Sequence, residues 1–442
     1  MITLKKKNVL VMGLGLHGGG VGVVKFLSRR GARVTVTDMK PQSALGSSLK
    51  ALKDARNIRY VLGGHREEDF MTSDIIIKNP DVPASSPYLA IAKKRGIPIL
   101  TDIGIFFMEC RGIIIGITGT KGKSTAATLI HAVLSKKYTT YLGGNIRKSV
   151  LEFLPRMKKT DIAVLELSSF QLEDLASLRV SPHIAILTSL FPDHLNRHGT
   201  FQKYADAKKT IFRFQKRGDV VIANGDDARL RTITVRVPGK KILVSKDNPF
   251  RETATAVNPL FRGTFLYSAL FAREVAKIFR ISDRVFLETL RRFKGLPGRK
   301  EVVLEKAGTI WINDTTATAP GAAAETLKEI SESHRGKNII LIAGGPTKKL
   351  PPGILRNAIR KYATRVIFLP GAFSDSLKKN LRVPFSDVLS MEEAVRLARG
   401  YARHDGVVLL SPGSASFGIF KHEFDRGKRF VRAVKKSHYE NR

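Results

Sequence analysis

The sequence predicts an α/β protein of three domains, and three observations carry that expectation. Its 442 residues exceed what one core holds, at roughly 150 residues per domain. Short apolar runs alternate with helical periods from end to end, the pattern of parallel sheets covered by helices. Two strand-to-helix turns are rich in glycine, as in doubly wound sheets that bind phosphates at helix N-termini. Boundaries near residues 110 and 298 give a Rossmann-like domain over 1–110, a central P-loop ATPase domain with a parallel sheet over 111–298, and a Rossmann-like domain over 299–442.

The elements follow in order. Asn8–Met12 is a short apolar strand entering a glycine-rich turn, Val21–Arg30 has helical spacing and stops at Gly31, and Arg33–Thr37 is a second strand. Two shorter units reach Pro98–Thr101, and Ile113–Ile117 opens the second domain, with strands near Ile162–Glu166, Ile184–Thr188 and Asp219–Ala223. Gly295-Leu-Pro-Gly298 reads as a linker, because two glycines and a proline stand between a helical period and a strand. Beyond it, Glu301–Glu305 and Ile310–Asn313 form a hairpin around Gly308, followed by helices alternating with strands Asn338–Ala343, Arg365–Leu369 and Gly406–Ser411.

Composition excludes several classes. No apolar run approaches the roughly 18 residues of a membrane span. The first eight residues lack the apolar core of a signal peptide, so a cytoplasmic protein is expected. A single cysteine, Cys110, excludes an internal disulfide and an all-thiolate metal site. The charge is unusual: 76 Lys+Arg against 38 Asp+Glu, formally +38. Such an excess suggests polyanionic partners. Bases are nevertheless mixed with acids everywhere except the tail from Arg426, with no aromatic-interleaved stripe, so solvated faces are the preferred reading and no nucleic acid is expected.

The sharpest motif is Gly116-Ile-Thr-Gly-Thr-Lys-Gly-Lys-Ser-Thr125, directly after a strand and before a helical period. Its glycines let backbone N–H groups of Gly119, Thr120, Lys121 and Gly122 turn inward around phosphate oxygens, and the helix N-terminus adds its dipole. Lys123 is placed to neutralise β- and γ-phosphates, and the Ser124 hydroxyl, next to Thr125, to join an Mg²⁺ shell. The strict Gly-x4-Gly-Lys-Ser spacing fails because Ile117 stands at its first glycine, leaving a Thr-Gly-Thr-x-Gly-Lys-Ser variant. A plain strand–turn–helix connection explains glycine but not Gly-Lys-Ser-Thr after it, and ATP binding is predicted.

Other candidates are weaker alone. Gly13-Leu-Gly-Leu-His-Gly18 with Asp38 fits the dinucleotide fingerprint. It reads as an NAD site, as a site for another nucleotide diphosphate, or as the glycine turn of any doubly wound sheet. Glu166 ends a strand in the domain of the phosphate loop, where a carboxylate suits Mg²⁺. His194, in a turn after another strand, reads equally as a ligand or as structure, and Lys208 as a solvated helical lysine. Asp314 or a nearby threonine reads as an N-cap, and Arg299 as a cation reaching toward a phosphate or as linker solvation. The stretches Asp314–Thr318, Gly344–Lys349 and Ser411–Ser416 all follow strands, so three loops converge on one sheet edge.

Taken together, these residues resemble the Mur ligase family from end to end. The marks are Met12-Gly-Leu-Gly15, the Thr118–Ser124 loop, Gly143-Gly-Asn145, Glu166-Leu-Ser-Ser-Phe-Gln-Leu172, Asp193-His194, Tyr204 with Lys208, Leu296-Pro-Gly-Arg299, Asn313-Asp314 with Ala317-Thr318, Gly344-Gly345 with Lys348, Ser411-Pro412 with Ala415-Ser416, and Phe424-Asp425-Arg426-Gly427. The resemblance implies ATP- and Mg²⁺-dependent amide formation in peptidoglycan precursor synthesis. The carboxylate of UDP-N-acetylmuramoyl-L-alanine attacks the γ-phosphate, and the D-glutamate amine then displaces phosphate from the acyl phosphate. It implies one Mg²⁺ site from Ser124 and Glu166, a second from His194 and a carbamylated Lys208, and screening of the reacting anions by Lys123 and Arg299. It also implies ATP contacts at Asn145 and Asp314, amino-acid contacts at Thr318, Lys348 and Ser416, and a UDP pocket at Gly15, Leu16, His17 and Asp38. A monomer is expected. A relative adding another amino acid, or acting on another carboxylate, is the alternative.

The chain departs from the family's pattern at a few places. Gly263-Thr-Phe-Leu266 replaces a Gly-x-His-Asn signature whose Asn lies near adenine, Asp314-Thr-Thr-Ala-Thr318 lacks a lysine at Thr316, and Thr347 replaces an acid before Lys348. These changes touch nucleotide and amino-acid selectivity. They leave the phosphate loop, Glu166, His194 and Lys208 in place.

Overall fold

The computed structural model describes residues 3–16, 18–146, 149–347, 350–402, 405–416 and 418–439. The chain divides into two compact units, Met1–Leu190 with Gln202–Phe293, and Phe191–Phe201 with Lys294–Arg442. The first holds two parallel sheets and the second one mixed sheet.

In the first sheet the strands run in the order Ile58–Leu62, Arg33–Asp38, Asn8–Met12, Ile75–Lys78, Ile99–Leu100, all parallel. The order reverses direction at Asn8–Met12, so the turn after Met12 opens into the crevice where such sheets take ligands. A small core of Leu10, Met12, Phe70, Ile76, Leu89 and Ala92 fills one face.

The second sheet has the order Lys240–Val244, Val220–Asn224, Ile184–Leu187, Ile113–Thr118, Ile162–Glu166, Thr140–Gly144. Its central strands read as continuous apolar runs because both faces are covered. Helices Lys123–Leu134, Thr264–Ile278 and Asp283–Arg292 seal one of them. The last of these buries Phe286, Thr289 and Leu290, at helical spacing, and leaves its charges to solvent.

The two sheets of this unit meet through close contacts. A Cβ on Gly22 would stand 2.4 Å from that of Ser149, so only glycine admits the approach. Phe106 and Phe153 pack edge to face at 5.5 Å, and Lys78, buried, pairs with Asp174 at 2.7 Å.

In the second unit the order is Glu301–Lys306, Thr309–Asn313, Gly406–Leu410, Asn338–Gly344, Arg365–Leu369, Phe385–Asp387. The hairpin expected around Gly308 is present and antiparallel, with a bulge between Val302 and Leu304, and the remaining pairs are parallel. Separate apolar cores lie on its two faces. The sequence places 191–201 in the middle of the central domain, but that segment groups with this unit, because Phe191 and Leu195 pack against its core.

Small differences from the sequence reading are local. The first helix starts at Gly19 rather than Val21, since glycines obscure its period. Edge strands Thr140–Gly144, Lys240–Val244 and Phe385–Asp387 lack the apolar runs that mark the central ones.

Candidate active site

The phosphate loop is built by its neighbours. Strand Ile113–Thr118 lies between Ile184–Leu187 and Ile162–Glu166, so the loop that leaves its end is flanked by Thr188 and Ser189 on one side and Glu166 on the other. Gly119, at φ 151°, admits Thr188 where a Cβ would stand 1.9 Å from its hydroxyl. Thr188 Oγ1 donates to the Lys121 carbonyl at 2.6 Å, the Lys121 N–H donates to Ser189 Oγ at 2.9 Å, and the Thr120 N–H to the Ser189 carbonyl at 2.8 Å. Gly122 caps helix Lys123–Leu134 in the left-handed region, at φ 88°.

Lys123 is the first residue of that helix, and its Nζ donates to the carbonyls of Gly119 at 3.0 Å and Thr120 at 3.1 Å. The Ser124 hydroxyl donates to Glu166 Oε2, and Asn145 Nδ2 reaches Glu166 Oε1 at 3.4 Å. Glu166 is only 3% exposed. Among the described residues no basic side chain pairs with it. A buried carboxylate so placed is costly unless a cation joins it. Its oxygens and the Ser124 hydroxyl form the hard donor set that Mg²⁺ prefers. Gly144 lies over this strand end, where a Cβ would stand 2.1 Å from the Glu166 carbonyl.

Lys208 is buried at 2% exposure on helix Phe201–Arg213. Its Nζ donates to Gly119 O at 2.9 Å and Thr118 Oγ1 at 3.3 Å and lies 4.6 Å over the Tyr204 ring. The Tyr204 hydroxyl bonds Thr120 Oγ1 at 3.1 Å. The reading of Lys208 as a solvated lysine is therefore corrected: its helix turns it onto the base of the phosphate loop. The sequence carries the signal weakly, as Tyr204, Ala207, Lys208 and Ile211 form a buried stripe.

The first glycine turn has the same outline with different chemistry. Gly15 N–H donates to Asp38 Oδ2 at 3.0 Å and Lys40 N–H to Asp38 Oδ1 at 2.9 Å, so the buried Asp38 braces the turn. Ser48 Oγ closes it from the other side by donating to Gly15 O at 2.7 Å. Leu16 is exposed beside it, and His17 lies outside the described residues.

In the second unit, Asp314 is 1% exposed and accepts from Lys300 N at 3.2 Å, Thr326 Oγ1 at 2.7 Å and Ser411 Oγ at 3.4 Å. It ties the strand end to the following helix rather than capping it, and the cap position falls to Ala319. Arg299 lies 5.9 Å from the Phe424 ring, and Thr318 and Ser416 stand on the two loops that follow the adjacent strands Thr309–Asn313 and Gly406–Leu410. His194 sits in the left-handed region at φ 52°, its ring 3.5 Å from the Asp193 carboxylate. Lys348 lies outside the described residues. Gly263 caps helix Thr264–Ile278 where the His-Asn signature is absent. No cluster of three His, Cys, Asp or Glu side chains that could hold a metal occurs among the described residues.

These features define an α/β protein with a phosphate-binding type of loop at the end of a parallel sheet, and the comparisons give its family: the chain belongs to the Mur ligase family. The MurD-like N-terminal domain of Mur ligases matches residues 7–101, the Mur ligase middle domain residues 117–267, and the Mur ligase glutamate ligase domain residues 298–413. Among curated relatives, the UDP-N-acetylmuramoylalanine–D-glutamate ligase of Roseiflexus sp. (strain RS-1) is 39% identical over 98% of this chain and 99% of its own. Ligases of that same name from Geobacter metallireducens and Borreliella burgdorferi (strain B31) are 33% and 34% identical, each over 98% of both chains. Solved structures share the fold. The UDP-N-acetylmuramate–alanine ligase MurC of Thermotoga maritima has TM-score 0.60 at 17% identity, over 98% of this chain and 100% of that one. The MurF ligase of the same organism, in complex with ADP, has TM-score 0.61 at 15% identity, over 99% and 96%.

Proposed function

We propose that the chain is the ligase that adds D-glutamate to UDP-N-acetylmuramoyl-L-alanine with ATP, through an acyl phosphate, in peptidoglycan precursor synthesis. The buried Ser124–Glu166 pair beside the phosphate loop is the observation that carries the chemistry. The three relatives of that name, each aligned over nearly the whole chain, support the choice of substrates. Boundaries near 110 and 298 divide the roles among a UDP-binding, an ATP-binding and an amino-acid-binding domain.

Two anions meet in the first step, the substrate carboxylate and the γ-phosphate, so the site must screen charge before it can align them. The Gly119 and Gly122 N–H groups and the N-terminus of helix Lys123–Leu134 would hold phosphate oxygens, while the Thr120 and Lys121 N–H groups stay on Ser189 and keep the loop in shape. Lys123 exchanges its loop carbonyls for phosphate oxygens. Ser124 and Glu166 would hold Mg²⁺, which supplies further neutralisation of the phosphates. Lys208, pressed against Gly119 and Thr118, fits a carbamylated form, because a carbamate adds an anionic oxygen donor where an unmodified amine could only donate. The carbamate N–H would keep the bond to the Gly119 carbonyl, and the Thr118 hydroxyl keeps its own to the Leu167 carbonyl.

Phosphate release from ATP and Mg²⁺ with UDP-N-acetylmuramoyl-L-alanine, with and without D-glutamate, tests the reading. Release that requires both substrates is expected. Product with L-lysine or L-alanine, but not D-glutamate, would reject it.

A further inference from the structure

Arg426, on helix Glu423–Tyr439, is 1% exposed, among the largest fully buried side chains of the protein. A guanidinium so deep ordinarily faces a carboxylate. Here no acid lies within ion-pair distance among the described residues. Its five N–H groups go instead to two loops. Nε donates to Thr315 Oγ1 at 3.1 Å and Nη2 to Thr315 O at 2.9 Å. Nη1 donates to Ala415 O at 3.1 Å, and both terminal nitrogens reach Ser414 O at 3.4 and 3.5 Å.

The surroundings are shaped for this fork. Thr315 Oγ1 donates onward to Glu423 O at 2.7 Å, where the helix begins. Gly427 and Gly298 close on the same threonine, each at a place where a Cβ would stand 2.6 and 2.8 Å from its methyl group. Burial pulls the guanidinium down to about 10, against the opposing field of Glu423, so it stays charged at neutral pH. The two loops it joins are those that carry Thr318 and Ser416.

We infer that Arg426 is a positioning residue for the incoming amino acid: it locks the 314–319 and 411–416 loops in register and presets them for an acidic ligand. The inference rests on the amino-acid role proposed above for those loops. Carbonyl oxygens accept the fork but carry no full negative charge, so the positive charge is left to favour a carboxylate between the loops. A lysine at this position keeps the charge but has too few fixed donors to span both loops.

Steady-state kinetics of the full chain, varying each substrate in turn, tests this, with thermal melting to verify that each variant folds. With Arg426→Gln the KM for D-glutamate should rise at least about tenfold, with the KM for ATP within about twofold and kcat less affected than KM. Arg426→Lys should fall between the two. If Arg426→Gln does not fold, Thr315→Val takes its place; it keeps the charge, removes the acceptor of the Nε bond, and should raise the same KM about threefold. D-glutamate turnover with an unchanged KM in the folded variants overturns the inference and leaves the proposed reaction standing, as does an equal rise for ATP. A wild-type protein that uses a different acidic amino acid, with the KM for that one raised in the variants, keeps the inference and rejects the proposed reaction. Use of a neutral amino acid alone, or turnover with none, overturns both.

Discussion

Two glycine turns in the first unit share a backbone and differ in charge. Each follows the strand at which its sheet reverses order, and each caps its helix with a left-handed glycine, Gly18 at φ 85° and ψ −16°, Gly122 at φ 88° and ψ −11°. In the first, the helix opens with Gly19 and Gly20, and an internal carboxylate, Asp38, accepts the Gly15 N–H. In the second, it opens with Lys123 and Ser124, and the acid, Glu166, bonds the serine hydroxyl instead of the loop amides. Backbone shape therefore makes a phosphate cradle possible, and the two residues after the cap decide how much negative charge it holds. On the proposed reading the first turn takes the UDP substrate and the second, with its lysine, the more highly charged triphosphate.

The largest effect that sharpens this contrast is Lys123→Ala. It removes the cation from the second turn, and kcat should fall roughly 10³-fold while binding of the UDP substrate, measured by calorimetry, stays within about twofold. An equal loss of UDP-substrate binding would break the division of labour.

Next is Lys208→Ala, which removes the side chain that underpins Gly119. Turnover should fall by about 10²-fold, and short carboxylic acids such as formate should restore part of it by supplying the missing oxygen donor. Full activity of the mutant would refute the carbamate assignment.

Gly20→Ala probes the first turn. Its Cβ would stand 2.2 Å from the Leu14 carbonyl, a backbone clash that cannot relax cheaply. A loss of about 2 kcal/mol of stability is expected, with KM for the UDP substrate raised and KM for ATP unchanged.

The smallest effect lies at the seam between the two sheets. Asp102 is half-buried beside Ser149, and desolvation, with the Asp174 charge adding to it, raises its carboxyl from 3.8 to about 6. The unfolded chain ionises first, so stability is lost as pH rises from the unfolded to the folded value, and the penalty is complete above the latter. Asp102→Asn should therefore stabilise the protein at about pH 8 by on the order of 1 kcal/mol, read as a higher melting temperature, and leave the melting temperature nearly unchanged at about pH 4. A gain of equal size at both pH values would exclude ionisation as the cause.

Much of the central turn was legible from residues alone, because its chemistry is local: strand, glycines, lysine, serine and helix lie within one short run. Glu166 and Lys208 were legible only in part. A strand-end glutamate announces itself, yet only the weak stripe of Tyr204, Ala207 and Ile211 hints that the helix turns Lys208 inward onto Gly119. Thr188 and Ser189, which bind the loop in place, went unremarked since a threonine and a serine after a strand are common. Asp314 read as a cap, but it braces three segments, one of them 97 positions away.

The sequence by itself determined the alternation of strands and helices, the two glycine turns and the identity of the charged residues beside the phosphate loop. These follow from periodicity and from short-range backbone constraints, which neighbouring residues encode. Only the tertiary structure decided that segment Phe191–Phe201 packs with the C-terminal unit, that Asp38 fills its own turn, and that Arg426 is buried against loops over a hundred positions and about ten positions away. Burial and long-range hydrogen bonding depend on which strands become neighbours. That order is a property of the sheet as a whole, and no local stretch of the chain carries it.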